Sequence, residues 1–562
     1  MSVTPTYPGV YIEELPSASH AVTAAPTSVT VFIGYTNPFW GPNGTSPPWN
    51  TAYEVQSWSD YASTFGGFFS SPWLPDYVGQ AVYQFFLGGG SDAYVVALDG
   101  AAGDYLEPGV TSTVPVVPAT ASLLDDGNGF TFKALQPVGV QASPPPAPPL
   151  GVLMTISISN ITSSDPSATP PVEDTADVTI VYGTTVETYR RLPIGSLAAT
   201  INGQSQLVSV AVTGTAPTTY AGLAGPEAST STPPAGSSAP PVTTFTYPTP
   251  PQAGWSIINP LNFPSVFAAN SSLDKLPIFN LMAIPGIVDS PTLAAALSFC
   301  EAKHAFFIMD PPANAVADSA ATKLPSAPTG AQTMESIWES SVLPVSHNGA
   351  IYFPYLQNTD PITGDAMAVP PSGYVAGVFA NEDINRGVWK SPAGLETTIL
   401  GTTGVVPWGA MNDPQQGTLN PLGVNCLRTF PGVGTVVFGA RTLVSANPAY
   451  EQWKYVAVRR MALFIEQSLQ SSLLWAVFEP NATPLWNALT QEVAAFMLGL
   501  FRQGAFAGTT ANTAFAVQCD STTTSAADIA NGIVNLLVSF APLSPAEFVV
   551  IQISQLAGQS SS

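Results

Sequence analysis

Charged side chains are scarce in this sequence. They make up 9% of its 562 residues, against roughly 25% in an ordinary soluble domain. Basic residues are the rarest, because 14 Lys and Arg stand against 37 Asp and Glu, which gives a formal net charge of −23. Such a surface repels DNA and anionic lipid, so we expect no nucleic-acid partner. A chain with so few charges stays soluble more easily when copies of itself cover its surface, which favours an assembly.

Cysteines and long apolar runs are also lacking. Cys300, Cys426 and Cys519 are odd in number and include no C-x-x-C pair, so we predict buried free thiols and no disulfide framework or zinc site. No run of about 18 apolar residues occurs, so no direct membrane insertion is expected. The first residues, MSVTPTYPGVYIEE, have neither the basic nor the apolar region of a secretory signal. The chain is therefore expected to fold in a reducing cytoplasm.

Motifs for catalysis and cofactor binding are absent too. The sequence contains no G-x-x-x-x-G-K-[ST] loop and no G-x-S-x-G elbow. Gly432-Val433-Gly434 is followed by Val437 where a dinucleotide fingerprint needs its third glycine. His20, His304 and His347 lack metal or triad spacing and are interpreted as structural. We expect no catalytic residue, no metal and no cofactor, and the enzyme alternative is a hydrolase whose triad is assembled only in space.

The sequence does contain an α/β pattern, which predicts an α/β (α+β) multidomain protein. Residues 31–100, the first part of the predicted core, carry a buried strand at Ser28–Tyr35, a helix at Tyr77–Leu87 ended by glycines, and a strand at Ala93–Leu98. Residues 256–415, the second part, alternate in the same way, which predicts a mainly parallel sheet with helices on its faces. The elements predicted there are Leu276–Ile284, Pro291–His304, Ala305–Met309, Met334–Ser341 and Ala350–Phe353.

Residues 101–255 interrupt that pattern. Pro, Thr, Ser and Ala dominate this segment, and short β-prone pieces such as Val152–Ser159 and Ala176–Tyr182 lie between the prolines. The composition predicts an inserted all-β domain on flexible connections, on the outer surface of the protein.

Residues 416–562 are predicted to form a C-terminal domain with two long helices. The first helix runs from Trp453 to about Trp475, and Arg459, Arg460, Glu466, Gln467 and Gln470 share the arc opposite its apolar side. The second has Thr483 as N-cap and Pro484 at its first position. Two strands, about Ile533–Phe540 and Phe548–Ile553, close the domain.

The two ends of the chain are predicted to be extended. Prolines break any helix in residues 1–30, an N-terminal arm with one short β-prone run. Strands at chain ends suit pairing with sheet edges on other chains. Pairing within the same chain is the alternative, and the sequence leaves both open. The candidate strand-forming residues are Val10, Tyr11, Ile12, Glu13, Glu14, Phe548, Val549, Val550 and Ile551.

Ordered landmarks over about 1–100 and 275–555 resemble the contractile tail sheath proteins of phages and extracellular injection systems. No single motif is specific, but this many motifs in the right order are, whereas 101–255 carries none. The landmarks are Tyr7–Glu14, Thr27–Gly34, Phe85–Gly90, Asp310–Pro312, Pro370–Gly373, Arg386–Ala393, Asn420–Arg428, Arg441–Leu443, Val458–Arg460, Trp475–Asn481, Cys519-Asp520 and Pro545–Val550.

The resemblance implies a structural polymer. Its subunits would form a homo-oligomeric helical stack of hexamers around an inner tube protein, and lend the N-terminal arm and the C-terminal strand to neighbours. Contraction would drive the tube through a target envelope. The implied partners also include baseplate and tail-terminator or cap proteins, with assembly in the bacterial cytoplasm as part of a phage tail or an extracellular particle. The structural alternative is another tail or baseplate component.

Basic residues are concentrated late in the chain. Eight of the 14 lie after residue 380, which favours a tube-facing surface in the C-terminal region. Lys454, Arg459 and Arg460 are the candidates for that contact. Internal ion pairs with Glu451, Glu466 or Glu479 are the alternative.

Overall fold

The structure, a computed structural model of the chain, describes residues 21–41, 46–100, 104–106, 114–125, 127–141, 149–163, 173–220, 223, 242–252, 255–550 and 552. Two compact units are present, each with its own buried apolar cluster. The core unit contains Thr27–Asn385 and Ser391–Val456. The C-terminal unit contains Arg386–Lys390 and the described parts of Met1–Pro26 and Ala457–Ser562.

The helices and strands are numbered in chain order. The helices are α1 (Trp58–Phe65), α2 (Tyr77–Leu87), α3 (Leu197–Gln204), α4 (Ser290–Ala302), α5 (Met334–Glu339), α6 (Ser372–Arg386), α7 (Asp413–Leu419), α8 (Val456–Ser472), α9 (Thr483–Arg502), α10 (Ala511–Ala514) and α11 (Ala526–Ala530). The strands are β1 (Thr30–Tyr35), β2 (Ala52–Val55), β3 (Ala93–Leu98), β4 (Asp104–Tyr105), β5 (Val114–Pro115), β6 (Thr120–Asp125), β7 (Asn128–Ala134), β8 (Met154–Thr162), β9 (Thr175–Tyr182), β10 (Thr185–Pro193), β11 (Val208–Thr213), β12 (Val242–Thr244), β13 (Leu281–Ala283), β14 (Phe306–Met309), β15 (Ala315–Val316), β16 (Gln332–Thr333), β17 (Gly349–Phe353), β18 (Leu356–Thr359), β19 (Ala366–Val369), β20 (Gly404–Val405), β21 (Val424–Phe430), β22 (Gly434–Val437), β23 (Phe515–Gln518) and β24 (Leu537–Phe540).

Eight strands form the main sheet of the core unit, in the order β2-β3-β1-β13-β14-β17-β21-β22. The six strands from β3 to β21 run parallel, and β2 and β22 add antiparallel edges. Every residue of β1, β14 and β17 is buried. Continuous burial is typical of parallel strands that are covered on both faces, which is why these runs are almost entirely apolar. The predicted mainly parallel sheet is confirmed.

Helices α2 and α6 approach so closely that their contact requires glycine. A Cβ on Gly377 of α6 would lie 3.0 Å from the Cα of Gly88, which directly follows α2. A Cβ on Gly373 would lie 2.3 Å from the Cα of Ala81. Because a side chain has no room in such a gap, the glycines of two separate sequence landmarks serve one helix–helix contact.

Asp310 joins three segments at the end of β14. Its buried carboxylate accepts hydrogen bonds from the Gly286 backbone N at 3.0 Å and from the Ser372 backbone N and Oγ at 2.7 Å each. Burial raises the pKa of Asp310 from 3.8 to about 6, although its hydrogen bonds act in the opposite direction. The landmarks Asp310–Pro312 and Pro370–Gly373 therefore meet in space and fix the start of α6.

The described parts of 101–255 contain two antiparallel sheets, ordered β10-β9-β8-β12 and β11-β7-β6. The segment is not all-β as predicted, because α3 lies between β10 and β11. The Tyr182 Oη donates to the Ser70 carbonyl at 2.9 Å, and the Trp73 indole N–H donates to the Gln252 carbonyl at 3.0 Å. These bonds connect the segment to residues 70–73 within the core unit.

Helices α8 and α9 build the interior of the C-terminal unit. α8 is shorter than predicted because 3₁₀ turns, Pro448–Trp453 and Leu474–Ala476, replace its expected ends. α9 begins at Thr483 with Ala482 as N-cap, so the predicted N-cap is wrong by one residue, although Pro484 does lie in the first turn. The side chains that pack together are Met461, Phe464 and Ile465 of α8 with Val493, Met497 and Leu500 of α9.

The three cysteines are buried free thiols, as predicted. Burial raises the pKa of Cys426 to about 12, far from any thiolate chemistry near neutral pH. Within the described ranges, no helix is both long and apolar enough to cross a bilayer.

Candidate assembly interface

Strands β23 and β24 form a small antiparallel sheet in the C-terminal unit, here called the terminal sheet. Phe515 lies opposite Phe540, and Gln518 lies opposite Leu537. Within the described part of the chain, no third strand joins it. A two-stranded sheet is marginally stable by itself, and an edge without a neighbour accepts a further strand. The side chains of its inner face, which pack on the α8–α9 cluster, are Phe515, Val517, Val538 and Phe540.

Phe548, Val549 and Val550 form an exposed apolar segment, here called the terminal run. Their side chains are 74%, 82% and 81% exposed, and they belong to no helix or strand. The strand predicted over Phe548–Ile553 is thus not formed by these three residues within the subunit, and Ile551 lies outside the described residues. Aromatic and β-branched residues favour strands, and contiguous exposed apolar groups are typical of contact surfaces. The terminal run has the chemistry of a strand without a partner.

The described chain begins at residue 21 and lies along α8. The Thr23 backbone N donates to the Ser472 Oγ at 3.0 Å, and the Ala25 backbone N donates to the Ser468 Oγ at 2.9 Å. The strand-forming residues predicted within the N-terminal arm lie outside the described residues; they are Val10, Tyr11, Ile12, Glu13 and Glu14.

The three basic candidates for tube contact have surroundings that differ from the prediction. Lys454 Nζ lies 3.9 Å from Glu451 Oε1, and Arg459 donates to Glu466 Oε1 at 3.3 Å. Arg459 and Arg460 are only 7% and 3% exposed. Internal ion pairs, the alternative to tube contact, are present for Lys454 and Arg459, and burial leaves both arginines little surface to offer. A tube-facing role stays a prediction.

The described residues offer little to an enzyme. No three His, Cys, Asp or Glu side chains among them come together to hold a metal ion. A shallow open pocket contains Asp318 and Glu335. Asp318 accepts hydrogen bonds from the Ala321 and Ala320 backbone N atoms and from the Gln415 amide. These bonds lower the pKa of Asp318, which makes it a weak base near neutral pH.

Family comparisons match the second half of the chain. A model of the phage tail sheath protein central domain matches residues 269–443, and a model of the phage tail sheath C-terminal domain matches 449–555. Together these ranges cover half of the chain, and neither includes 101–255. The terminal sheet and the terminal run both lie in the second range.

Two curated relatives are similar over part of their length. A prophage major tail sheath protein of Pseudomonas aeruginosa (strain UCBPP-PA14) is 30% identical over 196 residues, which is 34% of this chain and 48% of the relative. The tail sheath protein of Burkholderia phage BcepMu is 29% identical over 161 residues, 28% of this chain and 33% of the relative. The match thus spans about half of the first relative and a third of the second.

Solved sheath structures share the fold over nearly the whole chain. The sheath complex of PVC, an extracellular contractile injection system in the contracted state, is 20% identical with a TM-score of 0.53 and covers 99% of both chains. The contracted helical sheath of the anti-feeding prophage is also 20% identical, with a TM-score of 0.50, and covers 98% of this chain and 100% of the other.

Proposed function

Because this chain belongs to the contractile tail sheath proteins, which are structural proteins and not enzymes, we propose that it polymerises as a helical sleeve around an inner tube. The sleeve contracts and drives the tube through a target envelope. The observation that carries the proposal is the two-stranded terminal sheet, together with the exposed terminal run Phe548–Val550. Among the described residues, one copy holds a sheet of only two strands and an exposed strand-forming segment outside any strand, and these complement each other between copies.

In the sleeve, the terminal run of one copy, continued by Ile551, adds a strand to the terminal sheet of a neighbour. Four residues of new ladder contribute a few hydrogen bonds, each worth about 0.5–1.5 kcal/mol net. Burial adds about 1.5–3 kcal/mol for each large apolar side chain that becomes covered. The N-terminal residues Val10–Glu14 are donated in the same way. Each contact contributes only a modest binding free energy, but the lattice repeats the contact many times.

The partners follow from this role. The sleeve is a helical stack of hexamers of this chain around an inner tube protein, bounded by a baseplate and by a tail-terminator or cap protein. The similar solved chains come from a sheath complex and a helical sheath, which supports homo-oligomeric assembly. The particle is a phage tail or an extracellular contractile particle, and its subunits assemble in the bacterial cytoplasm.

Residues 101–255 form an outward decoration in this proposal. Their Pro-rich composition, and their position outside both matched family ranges, support a role separate from the lattice. Loops and insertions of this kind tolerate replacement when few lattice contacts depend on them.

The free energy that drives contraction is stored in the sleeve when it assembles. The sequence has no nucleotide-binding loop, so the extended sleeve is a metastable lattice that is held on the tube and released once. Subunits must rotate without separating, which requires connected arms. The segment between Pro16 and Pro26 is the connecting segment of the N-terminal arm. Its C-terminal end is fixed to the subunit by the hydrogen bonds from Thr23 and Ala25 to α8.

Electron microscopy of the full chain, produced together with its tube protein, tests the proposal. Sleeves should form with the full chain, whereas a variant lacking residues 1–14 should remain a folded, soluble monomer. Normal sleeves from that deletion would show that the arm is not shared. A chain that yields only compact monomers with the tube present would refute the sleeve itself.

A further inference from the structure

The turn between α8 and α9 presents a fully exposed phenylalanine. Phe478 is 102% exposed, Leu474 is 68% exposed and Val477 is 57% exposed. These three side chains are here called the apolar knob. Contiguous apolar groups of this size on a soluble protein are typical of interaction sites.

Hydrogen bonds and apolar contacts to the rest of the C-terminal unit hold the turn that carries the knob in place. Asn481 donates through Nδ2 to the Ile533 carbonyl at 2.9 Å and accepts from the Trp486 indole N–H at 2.9 Å. Three further residues of the turn, Leu473, Trp475 and Ala476, point inward and pack against a buried cluster of Leu485, Trp486, Leu489 and Cys519. Because these contacts fix the turn before any partner binds, less conformational entropy is lost on binding.

Phe478 occupies an unusual backbone conformation. Its φ is +73°, a left-handed region that bulky residues rarely adopt and that glycine or asparagine enters more easily. It is the one large apolar residue among the described non-glycine residues with positive φ. Strained residues of this kind mark functional positions when the surrounding structure holds them in place. A strained backbone that holds a fully exposed ring points to a contact outside the subunit.

The charge around the knob indicates which partner it fits. Residues 473–486 contain one charged residue, Glu479, and no Lys or Arg. Such a surface attracts neither nucleic acid nor anionic lipid. Two copies of a chain with net charge −23 repel each other, so they come together most easily where charge is nearly absent, as interface centres generally are.

We infer that the apolar knob Leu474, Val477 and Phe478 docks on a second copy of this chain in the assembled sleeve. The inference rests on the proposed function and adds a contact separate from strand sharing. The knob is continuous with the strand-sharing surface, because Asn481 bonds to Ile533, four residues before β24 begins.

Photo-crosslinking in assembled particles identifies the chain that the apolar knob contacts. A benzoyl-phenylalanine at position 478 of the full chain should give a covalent dimer of two sheath chains, twice 58.4 kDa, when sleeves are irradiated. The matched control carries the same group at Leu261, which is 83% exposed in the core unit, and should give much less dimer. Crosslinks from 478 to the tube protein, or none in intact sleeves, overturn the knob assignment alone. Absence of any sleeve from the unmodified chain overturns the proposed function with it.

Substitutions give the second readout. Phe478→Asn suits the positive φ but removes the ring, so it should raise the subunit concentration needed for assembly by about tenfold or more. The thermal midpoint of the subunit should not fall, because asparagine relieves the backbone strain. Phe478→Tyr should restore assembly, and Leu261→Asn should behave as the wild type. Assembly of Phe478→Asn at the wild-type concentration, or an equal effect of Leu261→Asn, would contradict the inference.

Discussion

Replacing Asp76 by asparagine removes a carboxyl group that the fold keeps uncharged. Asp76 is the N-cap of α2 and is 3% exposed. It accepts hydrogen bonds from the backbone N atoms of Gly79 at 3.0 Å and Phe69 at 3.3 Å. Burial raises its pKa from 3.8 to about 8, although both hydrogen bonds act in the opposite direction. Asparagine has the shape of the protonated acid and is also a good N-cap.

The sign of the pH dependence follows from that raised pKa. Above about pH 4 the unfolded chain loses the Asp76 proton, whereas the folded chain keeps it until about pH 8. The stability contributed by the protonated group is therefore complete below pH 4, falls as the pH rises, and levels off above pH 8. Each pKa unit between the two states corresponds to about 1.4 kcal/mol, so the free energy of unfolding is lowered by about 4 kcal/mol at pH 7.

The Asp76→Asn side chain does not titrate, and its single acceptor oxygen keeps the bond from Gly79 but loses the one from Phe69. The variant should therefore be less stable than the wild type by about 1–3 kcal/mol at pH 4 and more stable than it at pH 8. Urea unfolding of the monomer at pH 4, 6 and 8, followed by tryptophan fluorescence, measures the difference. Asp528→Asn is the control, because Ser525 lowers the pKa of the exposed Asp528 and both the folded and the unfolded chain are ionised there above about pH 4, so its effect should stay constant from pH 4 to pH 8. A difference between Asp76→Asn and wild type that is constant with pH, or negative at pH 8, would refute the reasoning.

Three further predictions concern the α2–α6 helix contact, the partly exposed Arg459–Glu466 ion pair and the insertion. Gly377→Ala should lower the free energy of unfolding by about 1–3 kcal/mol, because the added Cβ meets the backbone of α2. The control Gly417→Ala has open space around it and should raise the free energy of unfolding by about 0.5–1 kcal/mol. Equal urea midpoints for the two variants would contradict this. Arg459→Ala should cost about 1.5–3 kcal/mol through its lost bond to Glu466, and an unchanged midpoint with impaired tube association would instead favour tube contact. Replacing 101–255 by a Gly/Ser linker should preserve sleeves under the microscope, and loss of assembly with a folded core would show that the segment carries lattice contacts.

The sequence predicts best the elements whose signals are local. α2 runs from Tyr77 to Leu87 as predicted, and β3 from Ala93 to Leu98, because an apolar segment ends at glycines in one case and at Asp99-Gly100 in the other. β14 and β17 also lie within a residue of their predicted bounds, since buried parallel strands are short, uninterrupted apolar runs.

Helix α6 shows what a local pattern cannot reveal. It follows two prolines, and its residues from Ser372 to Ala380 are all buried, so the helical alternation of apolar and polar positions is lost. Its glycines are required by the close contact with α2, which no local pattern encodes. The burial of Arg459 and Arg460 likewise depends on tertiary contacts that no spacing encodes.

The candidate interface was predictable only in part. The β-prone chemistry of Phe548–Val550 is visible in the sequence, but its exposure is a property of the folded subunit. The apolar knob gave no separate signal, because Trp475–Asn481 reads as an ordinary apolar landmark. Nothing about a phenylalanine in such a run indicates a positive φ and a fully exposed ring.

A cryo-electron microscopy map of the assembled chain tests the central claim most directly, because it shows which copy each strand belongs to. The account predicts that residues 548–551 of one copy lie in hydrogen-bonded register with β23 or β24 of a different copy. A sleeve in which residues 548–551 pair with the terminal sheet of their own copy, or with no strand at all, would contradict it.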